Sequence, residues 1–387
     1  MVIALLTAAT ARRLETWQGV DMSQLLTDTA RPFRISPSAP VANPFAVLRD
    51  AGVNAFRMRM WNSPCADGLC DAAEYNYAGP NGVLAVARQL RAHNISLILD
   101  LHYSDWWADP GQQRKPHAWR NLTSIHALAA AVRAFTHDSV TALAAQGTPP
   151  VAVQVGNEIT HGMLFNGASG AKCTTSDWDW CDDNCATSGR LWCDGEEGES
   201  WARFARLVAA GIAGSRAACP TCAVAVHTDL GQHVRGGAGI GGVVEWYRTL
   251  ARHLAGHVHG APFDAVGLSM YPKYDGGATL RSAAALRPLA AAFPAATVYI
   301  AETSYPAGGA ARPQDLVGFP PSPAGQLAYV HALRAALREA LPAAQNGGFL
   351  WWEETEGADD SLFDAHYVAR PALRRGFAAP RRRYGQN

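Results

Sequence analysis

The sequence predicts a (β/α)8 barrel, an α/β fold, on three observations. Short apolar runs alternate with longer helix-patterned stretches, eight such runs follow one another, and nearly all of them lead into polar residues. The runs are 19–21, 55–61, 96–101, 151–155, 223–227, 265–269, 298–301 and 348–352. Helical periodicity covers 43–51, 82–93, 125–145, 200–218, 241–254, 279–293 and 322–341, with a last helix near 371–377. Asn43 and Ser322 read as N-caps, each beside a proline suited to a first turn. An open doubly wound sheet is the competing architecture. It calls for a glycine-rich first turn, and no G-x-G-x-x-G follows a strand.

One catalytic barrel is expected over 17–378, since α/β barrels exceed the usual domain length of about 150 residues as single units. Residues 1–16 read as a frayed terminus or the remnant of a secretory signal, apolar up to Ala9-Thr10-Ala11 but without a basic start. Residues 379–387 form a basic tail containing Arg381, Arg382 and Arg383. A segment at 167–198, after the fourth strand, breaks the alternation; it carries Trp178, Trp180, Trp192 and four cysteines. A structureless loop of that length is unusual, so a cross-linked insertion at the barrel mouth is expected.

Hydrophobic residues make up 48% of the 387 and charged ones 17%, so a large core is available and wholesale disorder is excluded. The 33 basic and 33 acidic residues cancel, which argues against a nucleic-acid surface. No run reaches the roughly 18 apolar residues of a membrane span. Eight cysteines occur in tight groups: Cys65 and Cys70, Cys173 to Cys193, and Cys219 with Cys222. Disulfides in an oxidising compartment are favoured over a zinc knuckle, because the 173–193 group lacks paired C-x2-C spacing. Cys219-Pro-Thr-Cys222 reads as a small loop staple.

In such a barrel the reacting groups sit where strands end. Glu158 follows the fourth run in Gly156-Asn157-Glu158, and Glu302 follows the seventh in Ala301-Glu302-Thr303. Two carboxyl groups about 5–5.5 Å apart are what a retaining glycosidase needs, one as nucleophile and one as proton donor. A lone strand-end glutamate is more often a cap or an ion-pair partner. Asn157 beside the acid changes that balance, because an amide there can bond a sugar 2-hydroxyl. Arg57 can keep a carboxylate ionised, and His102 can orient its neighbours. Twelve tryptophans exceed what a core needs, and Trp61, Trp106, Trp107, Trp119, Trp351 and Trp352 fall in or after strand ends, suited to stacking on pyranose rings. A metal hydrolase built on His102, Asp105, His227 and Asp229 is the weaker alternative, since no H-E-x-x-H or H-x-H pair occurs. No metal or cofactor is expected.

These residues resemble glycoside hydrolase family 53, the endo-β-1,4-galactanases. The likeness runs in order from Gly19 to Leu373. It includes Gly19-Val20-Asp21-Met22-Ser23, Arg57-Met58-Arg59-Met60-Trp61, His102-Tyr103-Ser104-Asp105 with Trp107-Ala108-Asp109-Pro110, and Gly156-Asn157-Glu158-Ile159. It continues through His227-Thr228-Asp229, Ser269-Met270-Tyr271-Pro272, Glu302-Thr303 and Trp352-Glu353. The H-Y-S-D-x-W-A-D-P string is the specific one. The resemblance implies a retaining barrel enzyme that cuts internal β-1,4-galactosidic bonds in pectin side chains, with Glu158 as acid/base and Glu302 as nucleophile. It implies that Arg57, His102, Asn157, Tyr271 and Trp352 line the cleaved-sugar subsite, with Asp105, Trp107, His227 and Asp229 nearby.

Three features depart from the family pattern: Met270 where an aromatic residue is expected, Trp106 where a small polar one is common, and the long 167–198 insertion. Some bacterial members bind calcium after strand eight; 357–364 is short, so no ion is expected there. A secreted monomer acting on β-1,4-galactan is the leading expectation. A related β-glycan hydrolase and a catalytically silent carbohydrate-binding barrel are the alternatives.

Overall fold

The computed structural model describes residues 15–27, 29–66, 68, 70–165, 197–309, 317–352 and 359–377, and in the stretch that begins at 197 it describes side chains from 201 onward. Residues 1–14 of the expected signal remnant, residues 167–196 of the insertion with its four cysteines, Glu353, the start of the 357–364 loop and the basic tail lie outside the described residues.

Eight parallel strands close into one barrel in sequence order. They are β1 Trp17–Asp21, β2 Ala55–Met60, β3 Ser96–Leu101, β4 Ala152–Val155, β5 Ala223–Asp229, β6 Ala265–Ser269, β7 Thr297–Thr303 and β8 Asn346–Trp352. Pairing of β1 with both β2 and β8 completes the ring. The fold is therefore the (β/α)8 barrel that the alternation predicts.

The main outer helices are α1 Pro44–Ala51, α2 Pro80–Ala92, α3 Ile125–Ala145, α4 Glu197–Ala218, α5 Gly239–Leu254, α6 Thr279–Ala284, α7 Arg287–Ala292 and α8 Pro323–Ala340. Asn43 caps α1 by accepting from the Phe45 N–H at 2.9 Å, and Ser322 caps α8 by accepting from the Gly325 N–H at 3.1 Å. The single helix expected at 279–293 is two, because Pro288 stands in the first turn of α7. Proline has no N–H to give to the preceding turn and its ring crowds the carbonyl four residues back, so the helix restarts there. Pro80 likewise opens α2 two residues before the expected start. Cys65–Cys70 and Cys219–Cys222 are disulfides, the second stapling the turn from α4 into β5.

Strand side chains alternate between two cores. Outward residues such as Phe56, Met58, Leu97, Leu99, Val153 and Val155 pack with the helices. The inward set is Trp17, Ala55, Ile98, Ala152, Ala223, Ala225, Ala265, Tyr299, Ala301 and Leu350. Alanines leave room for Trp17 and Tyr299, whose rings meet edge to face at 5.0 Å and fill the lower barrel. This plug forms the floor on which the polar residues of the upper barrel stand.

Gly267 on β6 has no side chain because a Cβ there would meet the Tyr299 ring at 2.7 Å. The ring is fixed by Trp17 and by the Tyr299 hydroxyl, which donates to Gln154 Oε1 at 3.0 Å. Gly267→Ala is therefore expected to lower unfolding free energy by about 1–3 kcal/mol, read from urea denaturation.

Candidate active site

At the C-terminal mouth of the barrel a cavity of about 410 Å³ is lined by Asp21, Arg57, Arg59, His102, Trp107, Asp109, Asn157, Glu158, Asp229, Tyr271, Glu302 and Trp352, among others. Its base is set by inward positions on neighbouring strands. Asp21 on β1 registers with Arg57 on β2, and Asp100 on β3 registers with Arg59 on β2 and with Gln154 on β4. Equal height on adjacent strands brings these groups together.

Arg57 is the hub. Its Nη1 lies 2.5 Å from Asp21 Oδ2 and 2.9 Å from Glu302 Oε1, and its Nη2 lies 2.8 Å from Asp100 Oδ2. Its Nε donates to Gln154 Oε1 at 3.2 Å, and Nη2 also donates to Asn157 Oδ1. Burial alone would lower the guanidinium pKa, but Asp100, Glu302 and Asp21 carry it well above its ordinary value, so it stays charged.

Glu302 reaches the cavity through a register shift. Tyr299 and Ala301 face the barrel interior, so strict alternation would turn residue 302 outward. Between Leu268 and Ser269 the pairing of β6 with β7 slips, and Ser269 registers with Glu302. The slip re-aims the carboxyl inward, as bulges do beside active sites. Tyr271 then donates its hydroxyl to Glu302 Oε2 at 2.8 Å, so both carboxylate oxygens are held. Burial pushes the Glu302 pKa up to about 7, while Arg57 pulls it down.

Glu158 sits in the left-handed region at φ 44°, ψ 45°, uncommon for a residue with a side chain. Neighbouring groups hold that turn. Gln113 Nε2 donates to the Asn157 carbonyl at 2.6 Å, Asn157 Nδ2 donates to the Ala108 carbonyl at 2.6 Å, and the Glu158 N–H donates to His227 Nδ1 at 3.2 Å. The Glu158 pKa is raised well above the ordinary carboxylate range, first by burial and then by the charges of Glu302 and Asp229. Its partner has a guanidinium at contact distance. Glu302 is thus the first of the pair to ionise, and Glu158 the one that keeps its proton.

Aromatic faces complete the wall. Trp107 packs on Trp352 at 6.2 Å and Trp352 on Tyr271 at 6.4 Å, while the Arg59 guanidinium lies 3.9 Å over the Trp107 ring. Of the site residues expected from the sequence, Arg57, His102, Trp107, Asn157, Glu158, Asp229, Tyr271, Glu302 and Trp352 converge on the cavity. Trp61, Asp105 and His227 stand behind its wall. Trp61 is fully buried and its Nε1–H donates to His102 Nδ1 at 3.3 Å. Asp105 accepts from the Ser63 and His117 N–H groups at 2.8 and 2.7 Å, tying two loops together. His102 Nε2 in turn faces Asp100 Oδ2 at 3.0 Å.

The sequence reading gave no site role to Asp21, Asp100, Gln154 or Gln113, although Asp100 and Gln154 stand among its polar strand-end residues. The inward parity of adjacent strands is the signal that finds the first three; Gln113, on a loop, leaves none. Glu158, His227 and Glu302 also bring one possible metal-ligand atom each within 4.8 Å of one another. Those atoms already have protein partners: His227 bonds Glu158 N–H and Ser269 through its two ring nitrogens, and Glu302 pairs with Arg57.

Two facing carboxyl groups of unlike proton affinity, in an aromatic-walled cavity at the mouth of a parallel barrel, define a glycoside hydrolase. The chain belongs to glycosyl hydrolase family 53, whose family model matches residues 17–363. A Niallia circulans protein known only by its place in the bgaB 5′ region is 33% identical over 79% of this chain and 74% of its own length. An arabinogalactan endo-β-1,4-galactanase of Thermothelomyces thermophilus is 26% identical over 87% and 89%. Among solved structures, one from a study of two fungal β-1,4-galactanases has a TM-score of 0.73 at 24% identity, covering 94% of this chain and 99% of that one. At that identity the structural likeness speaks for the fold alone.

Removing the hub charge would leave Asp21, Asp100 and Glu302 buried without compensation. Arg57→Met is expected to cost about 3–5 kcal/mol of stability at neutral pH. The deficit should shrink as pH falls, because a carboxyl buried without a cation is more stable protonated, and Glu302, raised to about 7 even with Arg57 present, takes up its proton within that range. Urea melts at pH 7 and pH 4.5 check both the size and the sign.

Proposed function

We infer that this protein is a retaining endo-β-1,4-galactanase that hydrolyses internal bonds of β-1,4-galactan. The observation that carries the reaction type is the spacing of the two acids: a carboxylate oxygen of Glu158 lies within 4.8 Å of one from Glu302. That suits the short separation of double displacement, against roughly 6.5–9.5 Å for inversion through an interposed water. The substrate assignment rests on family membership and on the galactanase named above.

In this mechanism Glu302, ionised and aimed by Arg57 and Tyr271, attacks the anomeric carbon as Glu158 delivers its proton to the departing glycosidic oxygen. The C–O bond to the leaving chain breaks and a glycosyl ester forms on Glu302. Glu158, now ionised, takes a proton from water; that water attacks the same carbon and frees Glu302. Asn157 is the amide for the sugar 2-hydroxyl. Trp107, Trp352 and Tyr271 offer apolar faces to the chain and Asp229 a polar contact beside them, while the His102 ring, its nitrogens engaged by Trp61, Ala108 and Asp100, shapes the wall. Secretion is the localisation that the two disulfides support, since such bonds persist in oxidising compartments. No helix among the described residues is long and apolar enough to cross a membrane.

A panel of galactan, mannan, xylan and cellulose tests the substrate. Short β-1,4-galacto-oligosaccharides with retained anomeric configuration should come from galactan; release from mannan alone would move the assignment to another β-glycan, and no release from any polymer would favour a binding protein. Glu302→Gln should abolish turnover of every substrate. Glu158→Ala should lower galactan hydrolysis by about 10²–10⁴-fold, yet spare formation of the glycosyl ester from aryl galactosides whose leaving group needs no proton.

Activity requires Glu302 ionised and Glu158 protonated. The acid limb of kcat/KM should accordingly lie above the ordinary glutamate value of 4.5, displaced toward about 7, as burial of Glu302 dictates. The alkaline limb should follow Glu158 at higher pH. A kcat/KM profile on galactan with an acid limb near 4.5 would contradict this ordering.

A further inference from the structure

Trp106 lies on the cavity wall and has no part in the reaction described above, where Trp107, Trp352 and Tyr271 face the sugar chain. Like Trp107 it is only partly buried, and it lines the cavity beside that residue. The two rings stand 6.2 Å apart and nearly perpendicular, at 83°. They therefore present flat faces in different directions. Trp61 lies against the Trp106 ring at 5.3 Å and Tyr75 meets it edge to face at 5.1 Å, so protein covers one part of the ring and the cavity takes the rest.

The ring is fixed from two sides. Ser104 Oγ donates to the Trp106 carbonyl, the Asn62 N–H donates to the Ser104 carbonyl at 2.7 Å, and the Cys65 N–H donates to the Asp105 carbonyl at 2.8 Å. The loop after β3 is thus tied to the loop after β2, which the Cys65–Cys70 disulfide closes. Just past the disulfide, Asp71 caps the helical turn Ala72–Tyr75 by accepting from the Ala73 N–H at 2.8 Å, and that turn carries Tyr75 to the Trp106 ring. An aromatic face already held in place loses little freedom when a ligand settles on it. Such a face, open to a cavity with polar groups nearby, suits the apolar side of a pyranose ring.

Ring contacts lead outward from Glu302 in a definite order. Tyr271 bonds the carboxylate, Trp352 lies 6.4 Å from Tyr271, Trp107 lies 6.2 Å from Trp352, and Trp106 follows Trp107. We propose that Trp106 is the platform of a distal subsite, where its ring stacks on a galactosyl unit beyond those that Trp107 and Trp352 hold. The inference rests on the galactanase reading and adds to it a dependence on chain length. Only a chain long enough to reach the ring gains from it. Binding energy gathered there raises kcat/KM for the polymer and for longer oligosaccharides, and leaves the shortest ones as they are.

The test measures kcat/KM along a series of β-1,4-galacto-oligosaccharides, from trisaccharide to hexasaccharide, for the wild type, Trp106→Leu and Trp106→Phe, each first checked by thermal unfolding. Leucine keeps apolar packing against Trp61 and Tyr75 but removes the flat face; phenylalanine keeps both. In Trp106→Leu the longest substrate should lose about three- to tenfold while the shortest one cleaved changes by less than about twofold, and phenylalanine should recover most of the loss. An equal loss at every length would mark Trp106 as a packing residue only. Either that result or an unchanged profile overturns the subsite and leaves the galactanase reading intact. A second measurement needs no change at Trp106. In Glu302→Gln, which should bind without turnover, the hexasaccharide should shield Trp106 from oxidation by N-bromosuccinimide, read by mass spectrometry, and the disaccharide should not; equal oxidation with both overturns the subsite as well. A wild type that cleaves no member of the series would sink the galactanase reading and the subsite together.

Discussion

The upper barrel is organised by one buried positive charge meeting three buried negative ones. Arg57 contacts Asp21, Asp100 and Glu302 at 2.5 to 2.9 Å in a region closed to bulk water. A formal excess of negative charge in such a place carries a desolvation cost that one guanidinium offsets only in part. The shortfall appears on the acid exposed to the cavity, Glu302, whose proton affinity rises even with Arg57 beside it. Glu158, with carboxyl neighbours and no cation, is raised further. The unlike behaviour of two chemically identical side chains thus comes from where a single arginine reaches, and the division of labour proposed for them follows from that asymmetry.

Local backbone supports the same division. Glu158 occupies a left-handed conformation that costs on the order of 1–3 kcal/mol for a residue with a side chain. Gln113, Asn157 and His227 supply the bonds that sustain it. A relaxed turn would swing the carboxyl away from its partner. The plug of Trp17 and Tyr299 beneath plays a complementary part: through Tyr299 it fixes Gln154, and Gln154 fixes Arg57.

Most of the barrel was legible because strand and helix periods differ and because Asn43, Ser322 and the prolines mark helix starts. The break at Pro288 was equally present in the residues but was masked by the strong apolar period of 279–293. Glu158, Glu302, Arg57, Asn157 and Tyr271 could be read as strand-end polar groups that converge in space. Trp61, Asp105 and His227 have the same residue types at the same kind of position, yet they stand one layer back. Which layer a side chain occupies depends on register between strands far apart in sequence, and that is absent from any local pattern.

The slip between β6 and β7 has a corollary. Glu302 faces the cavity through a count of residues rather than through its own chemistry. A one-residue deletion between 297 and 301 would preserve every acid, amide and tryptophan of the cavity and still rotate the Glu302 carboxyl toward the helices. The number of residues between 297 and 301 thus constrains the site as firmly as the identities of Tyr299 and Glu302 on the same strand.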